Sequence, residues 1–326
     1  MAFVTVLFAT LNGARTLPRM LGTLGALASP SDGWKVVAVD NGSTDDSLNI
    51  LEQHAGKIPM MVLKEPRRGK NIALNTGLAV VEGDIIALTD DDVILPRDWL
   101  VSIENVGAAR AEYDIFGGAI YPIWEEPPPM WVFQCVPKGF LGWTDFSEGP
   151  IEAYSIWGGN MAVRAAVFRE HKFAEGVEMG SETEFTMRTQ GSGHRCWHFH
   201  ASPVGHIIRP YQLKPESLAQ RAYKHGRGNA MISHMQLVDD EILAFLARRS
   251  HPALGQSLYR TARLIKGAGR VTMAACNVAR SRLLGNAHDH FKAFLQLQYR
   301  RGDFAERCAL ATPYWMSARK RRVNNT

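Results

Sequence analysis

Residues 88–96 read LTDDDVILP, three consecutive carboxylates, Asp90, Asp91 and Asp92, set directly after an apolar run and just before a proline. Adjacent carboxylates raise one another's pKa unless something positive sits among them. A divalent cation is the economical answer. Hard oxygen ligands select Mg²⁺ or Mn²⁺, and Mg²⁺ in particular is held by one or two carboxylates together with a substrate's phosphates. The alternative is a solvated acidic turn capping the helix that PRDWLVSIEN (96–105) begins. Asp40 closes a second apolar run, WKVVAVD, and its carboxylate can either accept a hydrogen bond from a ligand N–H or cap the turn NGST. A third acidic group lies in GSETEF (180–185), where Glu182 and Glu184 occupy the first turn of an expected helix. The helix dipole favours carboxylates there for purely structural reasons.

These groups need a scaffold that brings them to one place. Along the first part of the chain, apolar runs alternate with helical patterns in the rhythm of βαβ units. FVTVLFA (3–9), WKVVAVD (34–40), PMMVLKE (59–65) and DIIALTD (84–90) read as strands. TLPRMLGTLGALA (16–28), DDSLNILEQHA (45–55) and NIALNTGLAVV (71–81) read as the helices between them. The implied architecture is a parallel α/β sheet, in which ligands collect beyond the carboxyl ends of the strands. Asp40 and the Asp90–Asp92 cluster both stand at such ends.

The composition sets outer bounds. A chain of 326 residues with 46% hydrophobic content buries a substantial core, as one α/β domain with an appendage or as two domains. Four cysteines with no CxxC pair suggest neither a zinc knuckle nor a disulfide framework, and a reducing cytosol fits best. The N-terminus MAFVTVLFATLNG lacks a basic leader pattern, and no apolar run reaches the length of a membrane span. The expectation is a cytoplasmic protein. Its net charge of +5 hides an asymmetry: residues 201–326 hold 21 Lys and Arg against 7 Asp and Glu, and residues 1–200 hold 16 against 25. The basic portion suits an anionic partner such as a phospholipid surface or nucleic acid, or is a solvated helical face.

In chain order, Thr10-Leu-Asn12, VDNGSTDDS (39–47), RRGKNIALNTGL (67–78), TDDDVILPRDWL (89–100), GGNMAVRAAVF (158–168) and GSETEF resemble the signature blocks of family 2 inverting glycosyltransferases with the GT-A fold. The resemblance covers roughly the first two-thirds of the chain, and the joint order is far more specific than any single block. It implies that the aspartate cluster is a DxD-type motif holding a cation against the diphosphate of a nucleotide-sugar, with Asp90 toward the ribose and Asp91 or Asp92 on the metal. Asp40 matches the aspartate that reads uracil, which favours a UDP-sugar or dTDP-sugar donor over a guanine nucleotide. Thr10 and Asn12 match the first nucleotide contact. Lys70 would neutralise phosphate, or is an exposed loop lysine. The arginine expected before the helix asparagine, Asn75, is here Leu74, so the charge falls to Arg67, Arg68 or Lys70.

GGNMAVRAAVF reads as a loop-to-helix transition in which Gly158 and Gly159 allow close backbone approach and Asn160 offers both a donor and an acceptor. Trp157 stands just before it, and of Trp124, Trp131, Trp143 and Trp157 at least one is expected to line the acceptor site, each being singly a core residue otherwise. The resemblance puts the catalytic base at Glu182. Here Ser181 and Glu182 replace the usual Glu-Asp pair, which leaves Glu184 as a rival base. His206 matches a histidine that completes the metal or diphosphate site, although His194, His198 and His200 lie close by in sequence and a loop histidine is the plain alternative. Arg227, with Arg221 and Lys224 on a following helix, can reach pyrophosphate or form a solvated face.

The implied division is a GT-A catalytic domain over 1–235, with a nucleotide-sugar half to about 120 and an acceptor half beyond it, then a basic helical region over 236–326. An amphipathic basic helix can lie on an anionic bilayer, here the inner face of the cytoplasmic membrane, or pack as a helical hairpin or homo-oligomer contact. The resemblance implies a glycan or lipid-linked acceptor. Two other classes compete: a sugar-1-phosphate nucleotidyltransferase, which would carry a Gly-rich basic phosphate loop that TLNGARTLPR does not supply, and a non-catalytic membrane- or RNA-binding module. With the glycosyltransferase reading, nucleic acid is not an expected partner.

Overall fold

The computed structural model describes residues 2–144, 146–151, 156–236, 252–283 and 287–311. The chain divides into two compact units, one formed by 1–127 and 137–210, the other by 128–136 and 211–326. Contacts therefore place the helix from residue 215 onward with the C-terminal helices, ahead of the boundary at 235 expected from sequence.

The first unit is built on one nine-stranded sheet ordered β3-β2-β1-β4-β8-β6-β9-β5, with β7 also paired to β9. β1 (Val4–Thr10), β2 (Trp34–Asp40), β3 (Met60–Lys64) and β4 (Ile85–Leu88) form its parallel half. The expected strands thus occur, each within a residue or two of its expected bounds. β5 (Val93–Ile94), β6 (Ile115–Trp124), β7 (Gly149–Ile151), β8 (Met161–Arg164) and β9 (Cys196–Ile208) extend the sheet. β4 pairs antiparallel with β8, β8 antiparallel with β6, and β6 parallel with β9.

Both faces of the central strands are covered, which explains why β1 reads as a continuous apolar run rather than an alternating one. Val4, Val6 and Phe8 face one core with Leu17, Met20, Leu51, Trp99 and Ile103; Leu7, Val37, Val39 and Ile86 face another with Ala73, Leu74, Phe168 and Phe185. The helices on the first face are α1 (Leu17–Leu24), α2 (Ser47–Ala55) and α4 (Trp99–Ala109); α3 (Lys70–Gly77), α6 (Ala165–Glu170) and α7 (Ser181–Gly191) supply the second. α1 buries Leu17, Met20, Leu21 and Leu24, a single stripe at helical spacing. It stops well short of residue 28, because Ala28 N–H is taken by Arg97 O at 2.7 Å instead of by the helix.

Two segments differ from expectation. GGNMAVRAAVF is a short turn leading into β8 and only then into α6, because Met161–Arg164 has strand partners on both sides. His206, for which a loop was the plain alternative, lies within β9.

The second unit contains α5 (Met130–Cys135), α8 (Pro215–Gln236), α9 (Pro252–Leu283) and α10 (Ala287–Ala311). α10 packs against both α8 and α9, with a buried ion pair between Asp303 and Arg307 at 2.8 Å. The apolar-acidic stretch 237–250, expected to be helical, lies outside the described residues. Among the described residues no helix is long and apolar enough to cross a membrane.

Candidate active site at the strand ends

Thr10 and Asp40 end β1 and β2 in register with each other, and Asp90 follows the end of β4, so three adjacent parallel strands deliver polar groups to one edge. Asp40 is 4% exposed, with Oδ2 accepting the Ser43 N–H at 3.2 Å and Oδ1 buried without a hydrogen-bond partner. Leaving a buried carboxylate oxygen unpaired is costly, and a base N–H is a fitting donor. The first loop is tied to the turn after β2: Asn12 N–H donates to Ser43 Oγ at 2.9 Å, and Thr44 N–H donates to Asn12 Oδ1 at 2.8 Å.

Asn41, which the sequence did not single out, pins the next loop. Its amide donates to Glu65 O at 3.0 Å and Arg67 O at 2.7 Å, and its Oδ1 accepts the Gly69 N–H at 2.9 Å. That loop launches α3 with Lys70 as its first residue. Lys70 Nζ then lies 2.7 Å from Asp90 Oδ1 and 3.2 Å from Glu182 Oε1. Burial works to lower the Lys70 pKa, but the two carboxylates outweigh it and push it up. The ammonium is therefore charged and bridges groups far apart in sequence.

The other two aspartates sit in different surroundings. Asp91 accepts a hydrogen bond from Thr10 Oγ1, yet burial, then the charge of Asp92, push its carboxyl up to about 6. Asp92 is paired to Arg209 at 2.8 Å and lies 3.6 Å from His206 Nε2. Burial opposes ionisation of Asp92, but His206 and Arg209 prevail and hold it below the usual carboxylate range. His206 is conversely raised by Asp92 against the effect of burial, and its Nδ1–H donates to Leu141 O at 3.0 Å. The pairing of β5 with β9, Val93 opposite His206, is what brings the histidine beside Asp92.

Asp91 and Asp92 supply carboxylate oxygens and His206 an imidazole nitrogen, donor types that Mg²⁺ or Mn²⁺ takes; in the structure Asp92 is held by Arg209 and His206, contacts a cation would have to displace. Glycine keeps the space open: a Cβ at Gly13 would run into Asp91 Oδ2, and one at Gly158 would run into Glu182 Oε1.

Several expected site residues do other work. Glu184, the rival base, is 5% exposed, and both its oxygens receive Arg188, at 2.7 and 3.1 Å. Asn160 is fully buried, accepting from Trp99 Nε1 at 2.8 Å and donating to Ala119 O at 3.0 Å, so its side chain cannot meet an acceptor. Gly159 is buried as well, its carbonyl accepting the Thr89 hydroxyl at 3.1 Å. Asn75 exchanges two hydrogen bonds with the backbone of Phe173, at 2.9 and 3.0 Å, fastening α3 to that loop rather than holding a donor. Trp157, half-buried, lies against Gly139 at the margin of the site. Arg227 belongs to the helical unit, where it pairs with Glu306 at 2.7 Å. Arg209 was missed from sequence, since nothing local announces which carboxylate a residue at the end of β9 will meet.

A family model described as glycosyl transferase family 2 matches residues 5–171. Among curated relatives, a glucosyl-dolichyl phosphate glucuronosyltransferase of Haloferax volcanii is 24% identical over 199 residues, covering 58% of this chain and 57% of the relative. An undecaprenyl-phosphate 4-deoxy-4-formamido-L-arabinose transferase of Shewanella sediminis is 30% identical over 119 residues, 35% of each protein. The chain thus spans between about a third and just over half of the curated relatives it matches. Among solved structures, the mannosyltransferase PcManGT of Pyrobaculum calidifontis, in complex with GDP-Man and Mn²⁺, aligns with a TM-score of 0.59 at 19% identity, over 93% of this chain and 86% of that one. S. aureus TarS 1–349 in complex with UDP-GlcNAc aligns at 0.53 and 16% identity, over 95% and 92%. At these identities the likeness speaks for the fold, that of GT-A glycosyltransferases.

Proposed function

The chain belongs to glycosyl transferase family 2, and on that premise we propose that it moves a sugar, with inversion, from a UDP-linked donor to a hydroxyl of a glycan or lipid-linked acceptor. The observation that carries this reading is the meeting of Asp90 and Glu182 on either side of the Lys70 ammonium, beyond the ends of parallel strands. That arrangement sets a donor-side carboxylate and a candidate base around one cation.

In this mechanism Asp40 Oδ1 accepts the imide N–H of uracil, and the tied loops at Asn12 and Ser43 frame the nucleoside. Lys70 faces the diphosphate. Asp91, Asp92 and His206 would hold Mg²⁺ or Mn²⁺, whose Lewis acidity steadies charge on the departing diphosphate. Glu182 takes the proton of the acceptor hydroxyl as its oxygen bonds to the anomeric carbon, and the bond from that carbon to the diphosphate oxygen breaks on the opposite face.

Nucleotide-sugar screening tests the reading. UDP should raise the melting temperature more with Mn²⁺ or Mg²⁺ than with EDTA, and Asp91→Ala with Asp92→Ala should erase the difference. Asp40→Asn should weaken UDP by roughly ten- to a hundredfold, the worth of a hydrogen bond to a charged group. Equal stabilisation in EDTA would refute the metal assignment, and undiminished UDP binding by Asp40→Asn would refute the base contact.

The helical unit supports a lipid-linked acceptor at an anionic membrane. α9 runs 32 residues without one acidic side chain, and it exposes Ile265 at 69% and Met273 at 63% beside Lys266 and Arg280. Apolar side chains amid cations suit the boundary between headgroups and acyl chains. On this reading the enzyme works at the cytoplasmic face of the membrane without crossing it.

A further inference from the structure

On the α6 and α7 side of the sheet, Glu170 and His171 at the end of α6 meet His194, which lies in the turn between α7 and β9. One ligand atom from each lies within 4.8 Å of the other two. Two features go beyond proximity. His194 Nδ1 is 3.1 Å from Asp114 Oδ2, so this nitrogen carries the proton, donates it to the carboxylate, and leaves the Nε2 lone pair available. Such a carboxylate behind a histidine is the usual means of fixing the tautomer and orientation of a metal-ligating imidazole. His171 Nε2, in turn, is buried with no hydrogen-bond partner.

We propose that Glu170, His171 and His194 form a second metal site, separate from the Asp90–Asp92 cluster and suited to Zn²⁺. Two imidazole nitrogens and one carboxylate oxygen match the borderline character of zinc, with water in the fourth position. Tetrahedral zinc with bonds of about 2.0–2.1 Å separates its ligand atoms by about 3.3 Å, so the triad closes on an ion by small side-chain rotations, for which the exposed Glu170 has room.

The charged groups around His171 bear on this directly. Arg188 Nη1 stands 3.4 Å from His171 Nδ1, and Glu170, Glu184 and His194 also face the ring. Burial, then Arg188 and His194, lower the His171 pKa, which keeps the ring neutral. Because a guanidinium can only donate, His171 Nδ1 accepts from Arg188 and the neutral ring carries its proton on Nε2. Zinc on Nε2 places a proton on Nδ1, so Arg188 must give up that contact. It is the longest of the contacts Arg188 makes, and the guanidinium keeps Glu184 and Lys172 O, both at 2.7 Å. The ligands lie before and after α7, the helix that carries Glu182. A metal there closes the chain segment holding that helix and ties it to β6 through Asp114, next to Ile115.

Zinc binding to the Asp91→Asn, Asp92→Asn protein isolates this site from the strand-end carboxylates. Calorimetry should show one equivalent of Zn²⁺, and Co²⁺ should give the intense visible absorption of a tetrahedral nitrogen and oxygen site. At zinc about a hundredfold above its dissociation constant, the folded-to-unfolded ratio should rise about a hundredfold. His194→Gln and His171→Ala should each remove the binding. Glu170→Gln, on the surface, should weaken it by about tenfold with the fold intact, a readout that survives if His171→Ala proves unstable. No zinc uptake in this background, or uptake indifferent to His194→Gln and Glu170→Gln, would overturn the proposal.

Discussion

Replacing Asp91 by asparagine should make the metal-free protein more stable while destroying its use of metal. The Asp91 carboxyl is pushed from 3.8 to about 6, first by burial and then by the charge of Asp92, with the Thr10 hydrogen bond opposing. A carboxyl that holds its proton more tightly folded than unfolded supports the folded state fully below pH 3.8, and that support is lost as pH rises through 6. A gap of about two units corresponds to about 3 kcal/mol. Asparagine carries no charge to lose and still accepts from Thr10. In EDTA near pH 7.5, Asp91→Asn should therefore gain up to about 3 kcal/mol, or a Tm higher by up to about 6–12 °C for a unit of this size. Near pH 4 the gain should nearly vanish. With Mn²⁺ and UDP the order should invert, because only the wild type gains from the metal. Denaturant and thermal unfolding across pH 4–8, with and without EDTA, measure all of this. An Asp91→Asn protein no more stable than wild type at neutral pH in EDTA would refute the picture of a carboxylate held in want of a cation.

Glu182→Gln should lower turnover by roughly 10²-fold or more with nucleotide affinity little changed, whereas Glu184→Gln should lower the melting temperature by stranding Arg188, and a crippled turnover in a stable Glu184→Gln protein would reverse the assignment. Gly158→Ala should displace the Glu182 carboxylate and cut turnover by about tenfold or more with UDP binding retained; full activity would show that the space beside Gly158 is not needed. Co-sedimentation should show binding to anionic but not neutral vesicles, weakening as salt rises and reduced when Ile265 and Met273 are made polar together, since each basic residue near the surface is worth about 1 kcal/mol. Indifference to anionic vesicles at low salt would favour a soluble acceptor.

The strands and helices of the parallel half were legible because each is written locally. Apolar runs such as FVTVLFA and a stripe such as Leu17, Met20, Leu21 and Leu24 declare their own geometry, and the positions of Asp40 and Asp90–Asp92 at strand ends follow from it. The order of the signature blocks likewise needs no coordinates. What could not be read was everything set by pairing across the sheet. Met161–Arg164 is too short to announce itself as a strand, and becomes one only because β4 and β6 flank it.

The same limit divides the site residues. In GSETEF, two carboxylates two residues apart are equivalent by type and propensity and point to opposite faces of the helix; the packing of α7 turns Glu182 toward Lys70, while Glu184 is buried on Arg188. Asn160 and Asn75 looked like ligands because amides serve ligands and cores equally well, and only burial against Trp99, or bonding to Phe173, shows which task each has. Arg209 reaches Asp92 through the register of β5 on β9, a relation between segments more than a hundred residues apart. The sequence by itself determined which chemical groups are present and at which strand ends they stand, since those depend on local pattern. Only the tertiary structure decided which groups face one another and which are consumed by the core, since long-range register and helix orientation are settled by the burial of the whole sheet.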